Sequence, residues 1–460
     1  MIKRKLKDIE TMVNGKISSD DYIEIYIEGV STDTRTITEG QLFVPIKGDR
    51  FNGHNFIESA INNGAKAALW SRHEPLPEID FPLILVEDTL HAIQKLAKEY
   101  RNQLSIKIIG ITGSNGKTST KDILSSILET QYKTYKTHGN LNNHLGVPLT
   151  LLSIKEDTEM GVIEMGMSSL GEIELLSNIA SPDVAIITNI GNAHLEELKT
   201  RDNIIKAKLE IVKGLKPNGL FVYHGDDNDL KETVNKLDIH QKKITFGEKQ
   251  SNDYSTKIVS NNKEGLHFKL DNKPLTTFYL PMLGKHQIFN ATAAICVARY
   301  FDISYASIKK GLKNVSLTGM RNELIKGKNF DILNDSYNAN PESTKAALRT
   351  IYSLKGYTQK IVIFADMLEL GDKEKELHKE IGRCIDFDNI DFLFTYGKLS
   401  KYTSKEAQLK GYSDKSISFM NKKELIKYLK RILKSNSLIL LKGSRGMHLE
   451  EIADSLLKEE

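Results

Sequence analysis

Residues 110–124 read GITGSNGKTSTKDIL, with the apolar run SIKII just before them. A buried strand, a glycine turn and an amphipathic helix follow one another without a gap, and few folds accept that order. Such a junction aims free backbone N–H groups and the positive end of a helix at one spot. Glycine tolerates the dihedrals that turn the backbone of Gly113 to Lys117 inward. Lys117 then reaches the outer phosphates of a nucleotide and the Thr118 hydroxyl faces Mg²⁺, while Ser114, Asn115, Gly116 and Ser119 complete the cradle. Ile123, Leu124, Ile127 and Leu128 recur at helical spacing and anchor the cradle in a core. The pattern is a shorter variant of the usual phosphate loop, since Ile111 stands five positions before Gly116, where the standard spacing has glycine. The bland alternative is a glycine-rich turn with an incidental lysine.

The rest of the chain divides by texture, as expected of 460 residues, too many for one core. Residues 1–102 mix short β-like runs (YIEIYIEGV, QLFVPIKG, FPLILVED) with helical patterns near 56–63 and 89–100. Residues 103–316 alternate helices with continuous apolar strands (SIKIIGIT, GVIEM, DVAIITNI, GLFVYHG), the signature of a buried, mostly parallel sheet. Between 243 and 283 short alternating strands predict a small antiparallel annex. Residues 317–460 repeat the rhythm (FDILND, KIVIFADM, DFLFTYG, SLILLKGS) and predict a Rossmann-like, doubly wound α/β domain. Ligands of such sheets sit beyond the carboxyl ends of the strands, which places Asp335, Asp366 and Lys442 at one edge.

Charge excludes some functions. Lys and Arg exceed Asp and Glu by only four, 64 against 60, and no basic stripe with interleaved aromatics appears, so a nucleic-acid partner is not expected. The start MIKRKLKDIE has no apolar core after it, and no run is long enough to cross a bilayer, which predicts a cytoplasmic protein without membrane insertion. Cys296 and Cys384 are far apart and read as buried free thiols.

Two further segments carry chemistry. Glu164 ends the strand in VIEMGMSS, and His194 follows the strand in IITNIGNAHLEEL. A carboxylate and an imidazole at neighbouring strand ends suit a divalent cation beside the phosphates, although each alone is equally a cap or a loop residue. The helix RDNIIKAKLEIVKGL carries Lys206, Lys208 and Lys213, and spacing alone gives none of them more than a solvated role.

With these segments in view, the chain resembles the Mur ligase family along its whole length. TGSNGKTST resembles that family's phosphate loop, EMGMSS and TNIGNAHL its metal-site segments, and LPMLGKHQIFNATAAI the stretch whose Asn, here Asn290, contacts adenine. LTGMRNE and ILNDSYNANPESTKAAL resemble the start of its third domain. There Arg321 matches a nucleotide-clamping arginine and Asp335 a ribose-binding aspartate. GVSTDTRTITEGQLFVPIKGDRFNGHNF is similar to a UDP-binding module, which implies uridine-diphosphate contacts at Thr32, Asp33 and Arg35. The position of Lys208 in KAKLEI implies a lysine that is carbamylated in several members and becomes a carboxylate-like metal ligand.

KTHGNLNNHLGVPLTLL, DSYNANPES and LLKGSRGMHLEEI resemble the member that joins D-alanyl-D-alanine to UDP-N-acetylmuramoyl-tripeptide, with ATP and Mg²⁺. The resemblance implies a monomer whose first domain holds the UDP handle, whose second holds ATP and whose third delivers the amine. Asn142 and Asn143 are then expected on the path of the peptide carboxylate. Ser444 and Arg445 are expected at the dipeptide carboxylate, which arginine pairs with bidentately. Arg321 must meet a nucleotide bound by another domain, so the third domain is expected to swing. Rival readings are a sister ligase adding a single amino acid, a folylpolyglutamate synthase, a nucleic-acid-stimulated ATPase and a non-catalytic nucleotide-binding regulator.

Overall fold

A computed structural model describes residues 1–191, 195–271 and 276–458. Among the described residues three large sheets organise it, beside a two-stranded antiparallel pair of Lys3–Lys5 with Tyr26–Glu28. The first has the strand order 16–17, 83–86, 67–71, 42–43, 30–31, parallel except at residues 16–17. Of the run YIEIYIEGV, only Tyr26–Glu28 and Val30 enter strands, because Asp20–Tyr22 form a 3₁₀ turn capped by the Ser19 hydroxyl.

The central sheet has nine strands. Lys107–Thr112 lies between Met160–Glu164 and Val184–Ile187, all parallel, and Leu220–His224 and Lys242–Gly247 extend it. Tyr254–Asn262 joins the edge in parallel, then turns back through Gly265–Leu270 and Thr277–Leu280. The antiparallel annex thus continues the main sheet. The helix His286–Tyr300 is apolar almost all round because it packs beside the phosphate-loop helix Lys117–Leu128 in one core.

The third sheet has the order 323–326, 330–335, 437–442, 359–365, 392–396, 416–419, parallel beyond its first hairpin. Helices cover both faces: Pro341–Ser353, Glu374–Arg383 and Lys401–Gln408 on one, Lys422–Ile432 and Glu450–Leu457 on the other. This is the doubly wound arrangement. Cys296 is buried, but Cys384 caps the end of its helix and is exposed, which corrects the expectation of two buried thiols.

The first two domains share one apolar core. The helix Thr89–Gln103 presents Ala92, Leu96, Ala97 and Tyr100 to Leu151, Ile154, Leu176 and Ile179 of the central domain. Its polar atoms cross the seam as well: Tyr100 Oη donates to the Ile154 carbonyl at 2.8 Å, and Arg101 Nε donates to the Ala180 carbonyl at 2.9 Å. No helix among the described residues is long and apolar enough to cross a membrane.

Candidate active site

The carboxyl ends of the central strands open into a cavity of about 630 Å³, closed on its far side by the third domain. Its floor is the phosphate loop. Gly116, at φ 81°, caps the helix that begins at Lys117, and a Cβ there would lie 2.4 Å from Asn290 Oδ1. Gly113, at φ 148°, leaves room for the Thr188 hydroxyl, which a Cβ would meet at 1.9 Å. Only glycine satisfies both the dihedral and the space. The loop is clamped from the next strand end: Asn115 N donates to Asn189 Oδ1 at 2.9 Å, and Asn189 Nδ2 returns a bond to the Asn115 carbonyl at 2.9 Å.

Lys117 Nζ folds back onto the Gly113 carbonyl at 2.7 Å. Burial lowers its pKa, with the Arg321 charge adding to the effect and Glu164 opposing it. Thr118 Oγ1 donates to Glu164 Oε2 at 2.8 Å, and Asn142 Nδ2 donates to Glu164 Oε1 at 2.9 Å. The buried Glu164 carboxylate therefore joins the phosphate loop to the segment 140–143. Parallel register makes this possible, because Glu164 pairs with Ile111 two residues before Gly113. The Asn143 side chain instead accepts from the N–H groups of Leu145 and Gly146 and fixes the next helix. Ser114, Asn115 and Ser119 line the cavity, as does Asn290, whose Nδ2 donates to Gln287 Oε1 at 2.8 Å.

The third domain contributes Arg321, whose guanidinium lies 4.0 Å above the Tyr337 ring, and Asp335, ion-paired with Lys442 at 2.6 Å. Lys208 does not line the cavity. Its Nζ is buried without a hydrogen-bond partner, and burial, reinforced by the Lys117 charge, drives its pKa well below the usual lysine value. His194 lies outside the described residues. Among the described residues, no three His, Cys, Asp or Glu side chains gather as metal ligands.

Other expected contacts lie away from the cavity. Asp33 and Arg35 form a bidentate pair on the first domain, with Thr32 beside them. The Arg35 guanidinium holds the Asp33 carboxyl down at about 2. Ser444 Oγ accepts from Leu368 N at 2.9 Å, and Arg445 pairs with Glu450 at 2.9 Å. Asp366 shares the strand-end edge with Asp335 but is consumed structurally, accepting the N–H groups of Lys398, Leu399 and Ser400.

Two cavity residues, Asn340 and His286, are not singled out by the sequence. Asn340 caps the helix from Pro341 with Oδ1 and reaches across to Asn115 Oδ1 with Nδ2 at 2.9 Å. Its signal was available in NANPES, where Asn precedes Pro as a helix cap. His286 meets Asn322 Nδ2 at 3.3 Å, and burial lowers its pKa to about 4. Lys442, expected at the strand-end edge, lies in the cavity wall beside Asp335.

Profiles of three Mur ligase domains match the chain: "Mur ligase family, catalytic domain" over residues 26–101, "Mur ligase middle domain" over 111–298, and "Mur ligase, glutamate ligase domain" over 320–445. The UDP-N-acetylmuramoyl-tripeptide–D-alanyl-D-alanine ligase of Bacillus subtilis (strain 168) is 47% identical, covering 100% of this chain and 99% of its own. The protein of that name from Escherichia coli (strain K12) is 34% identical over 99% of both. A crystal structure of MurF from Acinetobacter baumannii superposes with a TM-score of 0.89 at 30% identity, covering 100% of this chain and 99% of that one. MurF ligase from Thermotoga maritima, in complex with ADP, gives 0.81 at 29% identity over 94% and 97%.

Proposed function

The chain belongs to the Mur ligase family, and from that premise we propose that it joins D-alanyl-D-alanine to UDP-N-acetylmuramoyl-tripeptide at the expense of ATP. The observation that carries the reading is the Thr118–Glu164–Asn142 chain of hydrogen bonds, which couples a phosphate loop to the segment expected along the carboxylate path.

A carboxylate and an amine do not condense unaided, because oxide is a hopeless leaving group. Attack of the tripeptide carboxylate oxygen on the γ-phosphorus of ATP forms an acyl phosphate and expels ADP. The free amine of the dipeptide then attacks the acyl carbon, sheds a proton, and the tetrahedral intermediate collapses to amide and inorganic phosphate. Lys117 and the loop N–H groups neutralise charge on the moving phosphoryl group. Arg321, across the cavity, adds a second cation once Tyr337 has oriented it. Asn290 and Asp335 are assigned to adenine and ribose.

Thr118 and Glu164 offer hard oxygen donors side by side and fit Mg²⁺, whose chemistry would be to polarise the phosphoryl oxygens. His194 is assigned to the same ion. Burial disfavours the charged form of the partnerless Lys208 amine, and the neutral form is the one that adds CO₂ to give a carbamate, a further oxygen donor. Thr32, Asp33 and Arg35 are assigned to the UDP end, Asn143 with Asn142 to the peptide, and Ser444 and Arg445 to the dipeptide. Arg445 must then exchange Glu450 for the incoming carboxylate. Domain limits of 1–102, 103–316 and 317–460, a cytoplasmic monomer and the absence of a nucleic-acid partner complete the proposal.

Phosphate release from Mg-ATP, with each acceptor added singly and together and the product weighed by mass spectrometry, tests it. Release that needs both substrates and yields the UDP-pentapeptide supports the reading. Release with a single amino acid in place of the dipeptide would transfer the protein to a sister activity, and stimulation by polynucleotide alone would overturn ligation.

A further inference from the structure

Lys442 has no part in the chemistry above, yet it is almost fully buried in the cavity wall with its ammonium committed twice. One bond is the ion pair to Asp335 Oδ2 at 2.6 Å, and the other runs to the Asn338 carbonyl at 2.9 Å. The strands Phe330–Asp335 and Ser437–Lys442 are parallel neighbours, and their last residues are register partners. The pair is therefore built into the sheet. Asp335 Oδ1 is held separately by the Asn322 N–H at 3.1 Å.

Burying such a pair gains little stability over apolar residues of the same size, because desolvation offsets the attraction. Its effect is on orientation. With one donor fixed on each carboxylate oxygen, the plane of the Asp335 carboxylate is set at the cavity wall. The second bond carries the constraint further. Asn338 belongs to the turn 336–340, and Asn340 at its end donates to Asn115 of the phosphate loop. Lys442 thus sits where a path from the carboxylate meets a path to the phosphate cradle.

We propose that Lys442 is a positioning residue for the nucleotide, which, itself anchored on the 336–340 turn, fixes Asp335 so that its carboxylate meets the nucleotide in a preset orientation. This rests on the assignment of Asp335 to the nucleotide made above. Lys442 acts through Asp335 and touches neither the dipeptide nor the UDP substrate.

The test is Mg-ADP affinity by titration calorimetry on the full chain, for Asp335→Asn, Lys442→Met, Lys442→Arg and the double variant K442M/D335N, with steady-state KM for all three substrates. Loss of the charged partner should weaken ADP binding by about tenfold to a hundredfold, as for truncation of a buried charge pair. K442R should recover most of that loss, and the double variant should bind no worse than either single variant. KM for ATP should rise, while KM for dipeptide and UDP substrate stays within about twofold of wild type. Wild-type ADP affinity in K442M, losses that multiply in the double variant, or a rise in the dipeptide KM alone would overturn the proposal. If K442M does not fold, K442M/D335N against D335N decides: equal affinity supports it and a further loss overturns it. Unchanged ADP binding in D335N would instead remove the nucleotide assignment of Asp335.

Discussion

His286 provides a quantitative test of the electrostatics at the cavity wall. Burial is the main reason its pKa falls to about 4, with Lys442 and Arg349 pushing the same way and Asp335 opposing. The neutral ring accepts from Asn322 Nδ2 across the boundary between the central and third domains. The folded value lies below the unfolded 6.5, so between those limits the unfolded chain binds the extra proton, and stability falls as pH falls. The full shift corresponds to at most about 3 kcal/mol. Because the ring also lines the open cavity, solvent screening lowers this to about 2 kcal/mol. His286→Gln retains an acceptor for Asn322 and removes the titration. Urea unfolding followed by far-ultraviolet circular dichroism at pH 7.5 and 4.5 should show wild type losing about 2 kcal/mol relative to the variant on acidification. His54, His224 and His378, whose values burial also lowers, cancel in the difference. The direct check is the imidazole proton resonance that vanishes in H286Q. A midpoint near 6.5 for that resonance, or a stability difference that does not change with pH, would refute the reasoning.

Two other perturbations test the cradle and the shared core. Gly116→Ala forces a left-handed alanine at about 1–2 kcal/mol and drives its Cβ against Asn290, so ADP affinity should fall at least about tenfold. Calorimetric titration giving affinity within twofold of wild type would show that the loop accommodates a side chain. Tyr100→Ala should cost about 3–5 kcal/mol. Because the seam is common, fluorescence of Trp70, the single tryptophan and a first-domain residue, should shift to lower urea together with the far-ultraviolet signal; a shift of Trp70 alone would mean that the domains unfold separately.

Periodicity located what the backbone dictates. Each apolar run assigned as a central or third-domain strand became one, since a parallel strand buried on both faces has no other environment for five consecutive apolar residues. The first domain was less legible. Its strands of two to five residues are too short to fix a period, and YIEIYIEGV alternates like a strand where Asp20–Tyr22 in fact turns. At the site, Gly113, Gly116, Lys117 and Thr118 announce themselves because a local turn demands them. Glu164 needed the register with Ile111 to reveal its partner Thr118. Lys442, His286 and Asn340 act across more than 30 residues of chain, to Asp335, Asn322 and Asn115, and no local pattern encodes such a pairing.

The two domain seams differ in what they exchange with solvent, and that difference decides which seam opens at lower cost. Separating the first domain from the second would expose Leu96, Tyr100, Leu151 and Leu176, at about 1.5–3 kcal/mol for each large side chain. The third domain keeps its two apolar cores to itself, with Leu283 the central-domain residue among them. Its seam is mainly polar: Asp122 accepts from Thr318 N in the linker at 2.8 Å, Asn340 from the third domain reaches Asn115, and His286 accepts from Asn322. Bonds of this kind trade for water at about 1 kcal/mol each. A ligand can shift such an equilibrium only by its differential affinity for the two arrangements. A nucleotide that touches Lys117 on one domain and Arg321 on the other supplies that difference, whereas one bound by the central domain alone does not. The third-domain seam is therefore the one a nucleotide can shift, while the core shared by the first two domains holds them together.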